Sequence, residues 1–234
     1  MITRNHTRIG AGAALMLALL SPAQVSAATD FSAAEQALFI DNHMATLRPP
    51  ATLRYAYRKT GSLEQAFDDK VDVLLTAQSD GSCCAASAKF FTGARQLRQP
   101  EVEGVQGNPA IFYFLERDIR EMQRLTTGKA NYFRKRIRMA VYQGATIRDI
   151  TLPYRGQQVA VREISISPYL DDPNRSRYEK LANKTYVFLL AKAVPGGLNG
   201  IRSRIDAESG ATIPLMAEEM LLEGTAPAPA RRQP

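Results

Sequence analysis

The chain has 234 residues, of which 45% are hydrophobic and 23% charged. These proportions lie near the averages of globular proteins, so they exclude a wholly disordered chain, a collagen or coiled-coil rod and a polytopic membrane protein. The formal net charge is +7, or a mild +5 without residues 1–27, which contain Arg4 and Arg8 and no acid. It argues against a nucleic-acid binder, which would carry a denser basic stripe.

Residues 1–27 have the pattern of a secretory signal peptide. A positively charged start at residues 4–8 precedes an apolar run at residues 9–20 and the small-residue sequence Val-Ser-Ala at residues 25–27. The apolar run is shorter than the roughly 20 residues that a membrane-spanning helix needs. We therefore expect a periplasmic or secreted protein, cleaved near Ala27, with no transmembrane span in the mature chain.

Residues 28–50 predict a short N-terminal helix followed by a linker. Phe31, Ala34 and Leu38 recur at roughly helical spacing, and Pro49-Pro50 stops the helix.

Alternation of apolar and polar residues predicts three strands after this linker. The first begins near Thr52, the second covers residues 67–75 and the third covers residues 88–92. Asp80-Gly81 is a hairpin signal between the second and third strands. Residues 95–108 are polar and marked by proline, which predicts a loop.

Two helices are predicted next, at about residues 109–127 and 131–143. Asn108-Pro109 is a strong helix start, because asparagine caps free amides and proline lacks the amide that the first turn would waste. On the first helix, the pairs Glu116 with Arg120 and Arg117 with Glu121 are predicted to lie on the outer face. The second segment also fits a strand pattern, but it follows a helix closely and lacks β-rich composition, which favours the helix.

Strand patterns resume at residue 146 and continue to residue 223, giving about eight strands in all. The predicted fold class is therefore α+β: one domain over residues 51–223, with a curved, half-barrel-like antiparallel sheet and a central two-helix insertion. Residues 224–234 are rich in proline and alanine and predict a disordered tail.

The two cysteines, Cys83 and Cys84, are neighbours. Adjacent cysteines cannot form a loop-closing disulfide. Three interpretations remain: incidental thiols at a hairpin tip, an intermolecular or vicinal disulfide, and a metal or redox site, which two ligands alone would not complete.

The sequence offers little catalytic chemistry. His43 is the single histidine after the predicted cleavage point, so a histidine-based zinc site is excluded and a Ser-His-Asp triad could be built only on it. Residues 171–176 resemble a calcium loop, but they lack the glycine and the bidentate glutamate that such a loop requires. We expect no catalytic residues, no metal and no cofactor.

The candidate ligand-binding residues are aromatic side chains at strand positions that could line one concave sheet face, and two arginines of the basic run at residues 134–138. An apolar ligand can bind to a curved sheet covered by helices. The candidates are Tyr55, Tyr57, Phe67, Phe90, Tyr186, Phe188, Arg134 and Arg138.

The order of signal peptide, strand meander, helical insertion and returning strands resembles the exported proteobacterial half-barrels of the LolA/LolB kind over most of residues 50–223. That family shuttles lipoproteins to the outer membrane, so the resemblance implies lipid carriage. Residues 108–118 (NPAIFYFLERD) and 194–197 (VPGG) also resemble uncharacterised exported proteobacterial proteins. Neither resemblance carries a functional residue over, and the chain lacks the lipid-attachment cysteine of LolB.

Three functions follow as hypotheses. The first is a soluble periplasmic, non-enzymatic protein that binds a lipophilic or anionic envelope component or an envelope protein, with contact to a membrane surface left open. The second is a carboxylate-dependent hydrolase or transferase. Its candidate acids are Asp68, Asp69, Asp171, Asp172 and Glu179. The third is a structural or assembly protein of the envelope, dimeric through Cys83 or Cys84.

Overall fold

A computed structural model of the chain describes residues 31–207 and 211–226. The predicted signal peptide, residues 1–27, and most of the predicted tail lie outside the described residues. No helix among the residues that the structure describes is long and apolar enough to cross a membrane.

The fold is α+β and is built on a curved, open antiparallel sheet, as predicted. The sheet has nine strands in the order β4-β3-β2-β1-β9-β8-β7-β6-β5. The strands are β1 (Ala51–Thr60), β2 (Phe67–Ala77), β3 (Cys83–Phe90), β4 (Leu97–Val102), β5 (Thr146–Tyr154), β6 (Gln157–Ile166), β7 (Thr185–Leu190), β8 (Leu198–Ile205) and β9 (Met216–Leu222).

Two strand meanders meet in the middle of this sheet. The first, β1 to β4, grows outward to one edge, and the second, β5 to β9, grows inward from the other edge until β9 pairs with β1. The two-helix insertion connects the outer edges of the two meanders. Pairing of β9 with β1 therefore joins the N-terminal and C-terminal halves of the fold.

The structure has one strand more than the eight predicted. This additional strand is β4, and it lies where a loop was predicted, at residues 95–108. It carries Pro100 and pairs with β3 at the edge of the sheet. An edge strand tolerates proline because it needs hydrogen bonds on one side only. The proline therefore marks a sheet edge here, where the sequence pattern indicated a loop.

The short N-terminal helix is confirmed, but it ends earlier than predicted. It consists of α1 (Ala33–Glu35), which continues as a π-helical turn over Gln36–Ile40. Ser32 and Glu35 form a capping box: the Ser32 hydroxyl accepts from the Glu35 amide at 3.1 Å, and the Glu35 carboxylate accepts from the Ser32 amide at 3.0 Å.

The two central helices are α2 (Pro109–Thr126) and α3 (Ala130–Gln143). The Asn108 side chain caps α2 by accepting from the Ala110 amide at 2.9 Å. Helix α2 crosses the concave face of the sheet: its Tyr113 hydroxyl donates to the Ala86 carbonyl of β3 at 2.7 Å, and its Asp118 bonds to Tyr186 of β7. Helix α3 contacts β6 and the connection that follows it.

The segment after β9 is tied to the β5–β6 hairpin. Arg155 and Gly156 form the two-residue turn of this hairpin with positive φ values of 48° and 78°. The Arg155 amide donates to the Gly224 carbonyl at 2.7 Å, and Tyr154 forms a bridge with Thr225. The first residues of the predicted tail are therefore ordered.

Gly61, at the end of β1, is a position where only glycine fits. Its φ is +136°, and a Cβ atom there would lie 2.8 Å from the Met216 Cα atom. We expect Gly61→Ala to lower the free energy of unfolding by about 1–3 kcal/mol in urea denaturation. Gly144→Ala is the control, because the nearest atom to its Cβ would lie at an ordinary 3.4 Å. Equal effects of the two substitutions would contradict this account.

Candidate functional site

The aromatic candidates from the sequence come together in the core beneath α2. Their side chains are at most 2% exposed except for the half-buried Phe67: Tyr55, Tyr57, Phe90, Tyr186 and Phe188. The tyrosine hydroxyls are occupied by protein groups. For example, the Tyr55 hydroxyl accepts from Asn108 Nδ2 at 3.2 Å, and the Tyr186 hydroxyl donates to Asp118 at 2.5 Å. A ligand would reach these rings only if α2 moved away from the sheet.

The two candidate arginines lie apart from these rings, on the exposed surface of α3. Arg134 makes a bidentate ion pair with Glu116 of α2, with N–O distances of 2.8 and 2.7 Å. Arg138 is exposed one helical turn further along. The eight residues therefore do not form one site.

A network of charged side chains extends from the surface near the end of β1 into the space between α2 and the concave face. We call it the buried ion network. It contains four acids and four bases: Glu64, Asp118, Glu121, Glu218, Lys59, Arg117, Arg124 and Lys184.

The carboxylate of Glu218, on β9, is the centre of this network, and its side chain is completely buried. Arg117 of α2 donates to both of its oxygens at 2.9 and 3.0 Å. The Tyr57 hydroxyl of β1 donates at 2.5 Å and the Ser203 hydroxyl of β8 at 2.9 Å. One carboxylate thus connects the helix to three adjacent strands.

Asp118 and Lys184 form a second buried ion pair, and both side chains are inaccessible to solvent. Asp118 also accepts from the Tyr186 hydroxyl, while Lys184 lies 5.5 Å from the centre of the Tyr186 ring. Because Lys184 directly precedes β7, this pair connects α2 to the C-terminal half of the sheet.

The network reaches the surface at the end of β1. Lys59 donates to Glu121 at 2.6 Å and also bonds to Glu64. Arg117 donates to Glu121 at 3.0 Å, and the exposed Arg124 bonds to Glu64. The side chains therefore form a chain of alternating positive and negative charge from the surface to the buried Glu218. Its order is Arg124, Glu64, Lys59, Glu121, Arg117 and Glu218.

Opposite charges keep the carboxylates of Glu218 and Glu64 ionised, although burial opposes this. Burial alone would raise the pKa of the Glu218 carboxyl, but the positive charges of Arg117 and Lys184 and the hydrogen bond from Tyr57 hold it well below its usual range. Burial also opposes ionisation of Glu64, yet hydrogen bonds from Lys59 and Arg124 lower its pKa to about 2. These carboxylates are therefore charged at neutral pH.

Three acids of the network have the spacing of metal ligands. One carboxylate oxygen from each of Asp118, Glu121 and Glu218 lies within 4.8 Å of the other two. Each carboxylate, however, already accepts a hydrogen bond from a lysine or arginine side chain. A divalent cation would be repelled by these positive groups, so the arrangement fits an internal ion network and not a metal centre.

An open cleft of about 560 Å³ lies between α3 and the end of β6, and we call it the α3 cleft. Apolar and charged side chains line it, including Arg136, Met139, Ala140, Ile166, Leu170 and Asp171. The Arg136 Nε group donates to the Pro168 carbonyl at 3.0 Å and lies 3.1 Å from Asp172. Met139 and Leu170 are 37% and 44% exposed, so apolar surface faces solvent at this cleft.

The acids proposed for a hydrolase do not converge. Asp68 and Asp69 lie on β2, whereas Asp171, Asp172 and Glu179 follow β6. Four strands separate β2 from β6. Asp68 is exposed and paired with Arg58 at 2.8 Å. The structure therefore gives these five acids no common pocket.

The imidazole of His43 contributes to the start of α2. Its Nδ1 atom accepts from the Asn108 backbone amide at 2.9 Å, at the start of α2. Burial lowers the pKa of this imidazole, although the nearby Asp41 opposes the shift. The lowered pKa favours the neutral imidazole, whose Nδ1 atom can accept a hydrogen bond.

Cys83 and Cys84 form a vicinal disulfide at the start of β3.

The sequence contains one signal for the buried ion network. Lys59 continues the inward-facing alternation of β1, and Glu218 lies between the inward-facing Met216 and Met220 of β9. A charge at an inward position of a strand indicates a buried partner of opposite sign. The prediction that Arg117 and Glu121 lie on the outer face of α2 was wrong, because those inward charges draw the pair toward the sheet.

Comparisons with known proteins leave the family open. No family model matches the chain, and no curated protein sequence matches it. Among solved structures, the crystal structure of the lipoprotein LppX from Mycobacterium tuberculosis matches with 11% identity and a TM-score of 0.31. The match covers 79% of this chain and 91% of that one. Similarity at this level assigns no function to the chain.

The Asp118–Lys184 pair offers a direct test of the network. Lys184→Met removes the lysine that bonds to the buried Asp118 carboxylate and leaves it Arg117, 4.0 Å away, so we expect a loss of about 3–5 kcal/mol in the free energy of unfolding. The double variant Asp118→Asn/Lys184→Met should lose less than Lys184→Met alone, as measured by urea denaturation. As a control, Arg58→Met breaks an exposed pair and should have a far smaller effect. Additive losses in the double variant would show that the two groups act independently.

Acid sensitivity should follow from Glu218. Its folded-state pKa lies below the unfolded value of about 4.5, so its stabilisation is complete above that pH and declines as the pH falls. We expect Glu218→Gln to destabilise the protein at pH 7 and to flatten the fall of stability below about pH 4.5. Denaturation curves measured from pH 7 to pH 2.5 check this. An unchanged pH slope would contradict the assignment.

Proposed function

We propose that this protein is a non-enzymatic envelope protein, periplasmic or secreted after cleavage near Ala27, that binds one amphiphilic molecule in the α3 cleft. The single observation that carries the proposal is the composition of that cleft. Its volume of about 560 Å³ lies in the range of small-molecule sites, about 300–1,000 Å³. It combines apolar and charged lining, as a molecule with an acyl chain and a polar head group requires.

The lining divides the proposed ligand into two parts. Met139, Ala140, Ile166 and Leu170 offer apolar contacts for the chain. Arg136 offers donors for a phosphate or carboxylate: among the described residues its two contacts use only Nε, and a guanidinium has four further N–H groups. Asp171 is an acceptor for an amine or hydroxyl on the same head group.

The distribution of acids supports a binding role over a hydrolytic one. Acids that converge are paired with cations in the buried ion network, and the acids predicted for catalysis are divided between β2 and the connection after β6. Ligand binding at the aromatic residues beneath α2 stays a prediction, because it requires displacement of a helix held by buried ion pairs.

Filling the cleft tests the proposal. We expect the wild-type protein to bind monomeric lysophosphatidylethanolamine, and Ala140→Trp to weaken binding about ten-fold or more by occupying the cleft, as measured by titration calorimetry. Ala160→Trp is the matched control, because Ala160 is exposed on β6 and does not line the cleft.

A second variant guards against misfolding of the first. Leu170→Asp puts a charge at an exposed position of the cleft lining and should weaken binding without unfolding the protein, as checked by circular dichroism. Absence of lysolipid binding by the wild-type protein, or unchanged binding by both variants, would overturn the proposed site.

A further inference from the structure

The solvent-facing side of α3 carries a second pattern besides the one that packs inward. Lys135, Arg138, Met139 and Tyr142 have the spacing i, i+3, i+4 and i+7, which places them on one face of the helix. All four are exposed, Met139 by 37% and Tyr142 by 45%. We call this face the outer stripe of α3. It combines two cations with two large apolar side chains.

The two cations of the outer stripe have no ion-pair partner in the part of the chain that the structure describes. Helix α3 has four cations and no acid. Two of these cations have an acidic partner: Arg134 pairs with Glu116, and Arg136 pairs with Asp172. In residues 31–207 and 211–226, neither Lys135 nor Arg138 has a carboxylate oxygen within 4 Å. Two positive charges without a carboxylate partner among the described residues therefore lie beside the exposed methionine and tyrosine.

This combination matches the chemistry of an anionic bilayer surface. A tyrosine ring is apolar with a polar tip and is favoured at the level of lipid head groups. Long cationic side chains extend their charge toward phosphates while their methylene groups cover apolar surface. Methionine adds apolar area for the boundary between head groups and acyl chains.

The outer stripe is continuous with the α3 cleft. Met139 belongs to the stripe and also lines the cleft, and the exposed Leu170 lines the same cleft from the β6–β7 connection. A bilayer in contact with the stripe would therefore adjoin the cleft opening, and an amphiphile could pass between membrane and cleft with little exposure of its chain to water.

We propose that the outer stripe of α3 docks the protein onto anionic lipid bilayers, with Lys135 and Arg138 contacting lipid phosphates and Met139 and Tyr142 entering the head-group layer. This inference rests on the proposed function, since it gives the α3 cleft direct access to a membrane.

Vesicle sedimentation tests the docking surface. The wild-type protein should bind phosphatidylcholine vesicles that contain phosphatidylglycerol more tightly than pure phosphatidylcholine vesicles, and added salt should weaken this binding. Lys135→Gln/Arg138→Gln should lower the affinity for anionic vesicles about 20- to 30-fold. This is the expected effect of removing two cations, each with the usual contribution of a cation near an anionic surface. Met139→Ser/Tyr142→Ser should also lower it.

The matched control is Lys89→Gln/Arg98→Gln, which removes two exposed cations that are neighbours across β3 and β4. This variant has the same net charge as the stripe variant and should keep near wild-type affinity. Equal losses in both charge variants would show that net charge alone drives binding and would overturn the docking surface. Absence of wild-type binding to anionic vesicles would overturn it as well.

Lysolipid titration separates this inference from the proposed function. Stripe variants that lose vesicle binding but still bind monomeric lysophosphatidylethanolamine support the docking surface. A wild-type protein that binds lysolipid and no vesicles retains the cleft and loses the docking surface. A wild-type protein that binds anionic vesicles through the stripe but no lysolipid retains the docking surface and loses the cleft.

Discussion

The carboxylate of Glu218 is the constraint on which the rest of the structure depends. It lies on β9, the strand that joins the two meanders, and it is completely buried. An isolated charge there would be strongly destabilising, so its partners must be present and correctly placed. Arg117, Tyr57 and Ser203 supply them from α2, β1 and β8. A shift of one residue in either strand would move Tyr57 or Ser203 to the opposite face, so the network also specifies the register.

The same network limits where a ligand can bind. A half-barrel with an apolar concave face can hold a hydrophobic ligand under its helices, but here α2 is fastened to that face by buried ion pairs at two points. Displacing the helix would separate these charges in a low-dielectric environment. The α3 cleft, by contrast, has the volume of a small-molecule site and lies beside α3. Arg136 lines this cleft, and its partner Asp172 belongs to the connection after β6. Buried ion pairs therefore hold α2 against the sheet, and the space for a ligand lies beside α3.

Much of the fold followed from short-range patterns in the sequence. Period-two alternation in Leu53, Tyr55 and Tyr57 predicted β1, and the Asn108-Pro109 start predicted α2 at its observed first residue. Residues 131–143, whose pattern also fitted a strand, form the predicted helix, α3. These features succeed because they depend on local geometry and on which face meets the core. Strand β4 was missed because Pro100 is compatible with a sheet edge, and whether a segment lies at an edge depends on distant pairing.

The candidate site was less accessible to sequence reasoning, for a physical reason. A charged residue on a helix, such as Arg117, has the same local pattern whether its partner is Glu121 one turn away or Glu218 on the sheet beneath it, and in this fold it binds both. The tertiary placement of an inward-facing acid decides whether the arginine also has a partner on the sheet. Within the described ranges no acid pairs with Lys135 or Arg138 of α3, and both cations lie at the surface near Met139. The two adjacent helices thus use similar basic residues for opposite purposes, one to hold the core together and one to present charge to the outside.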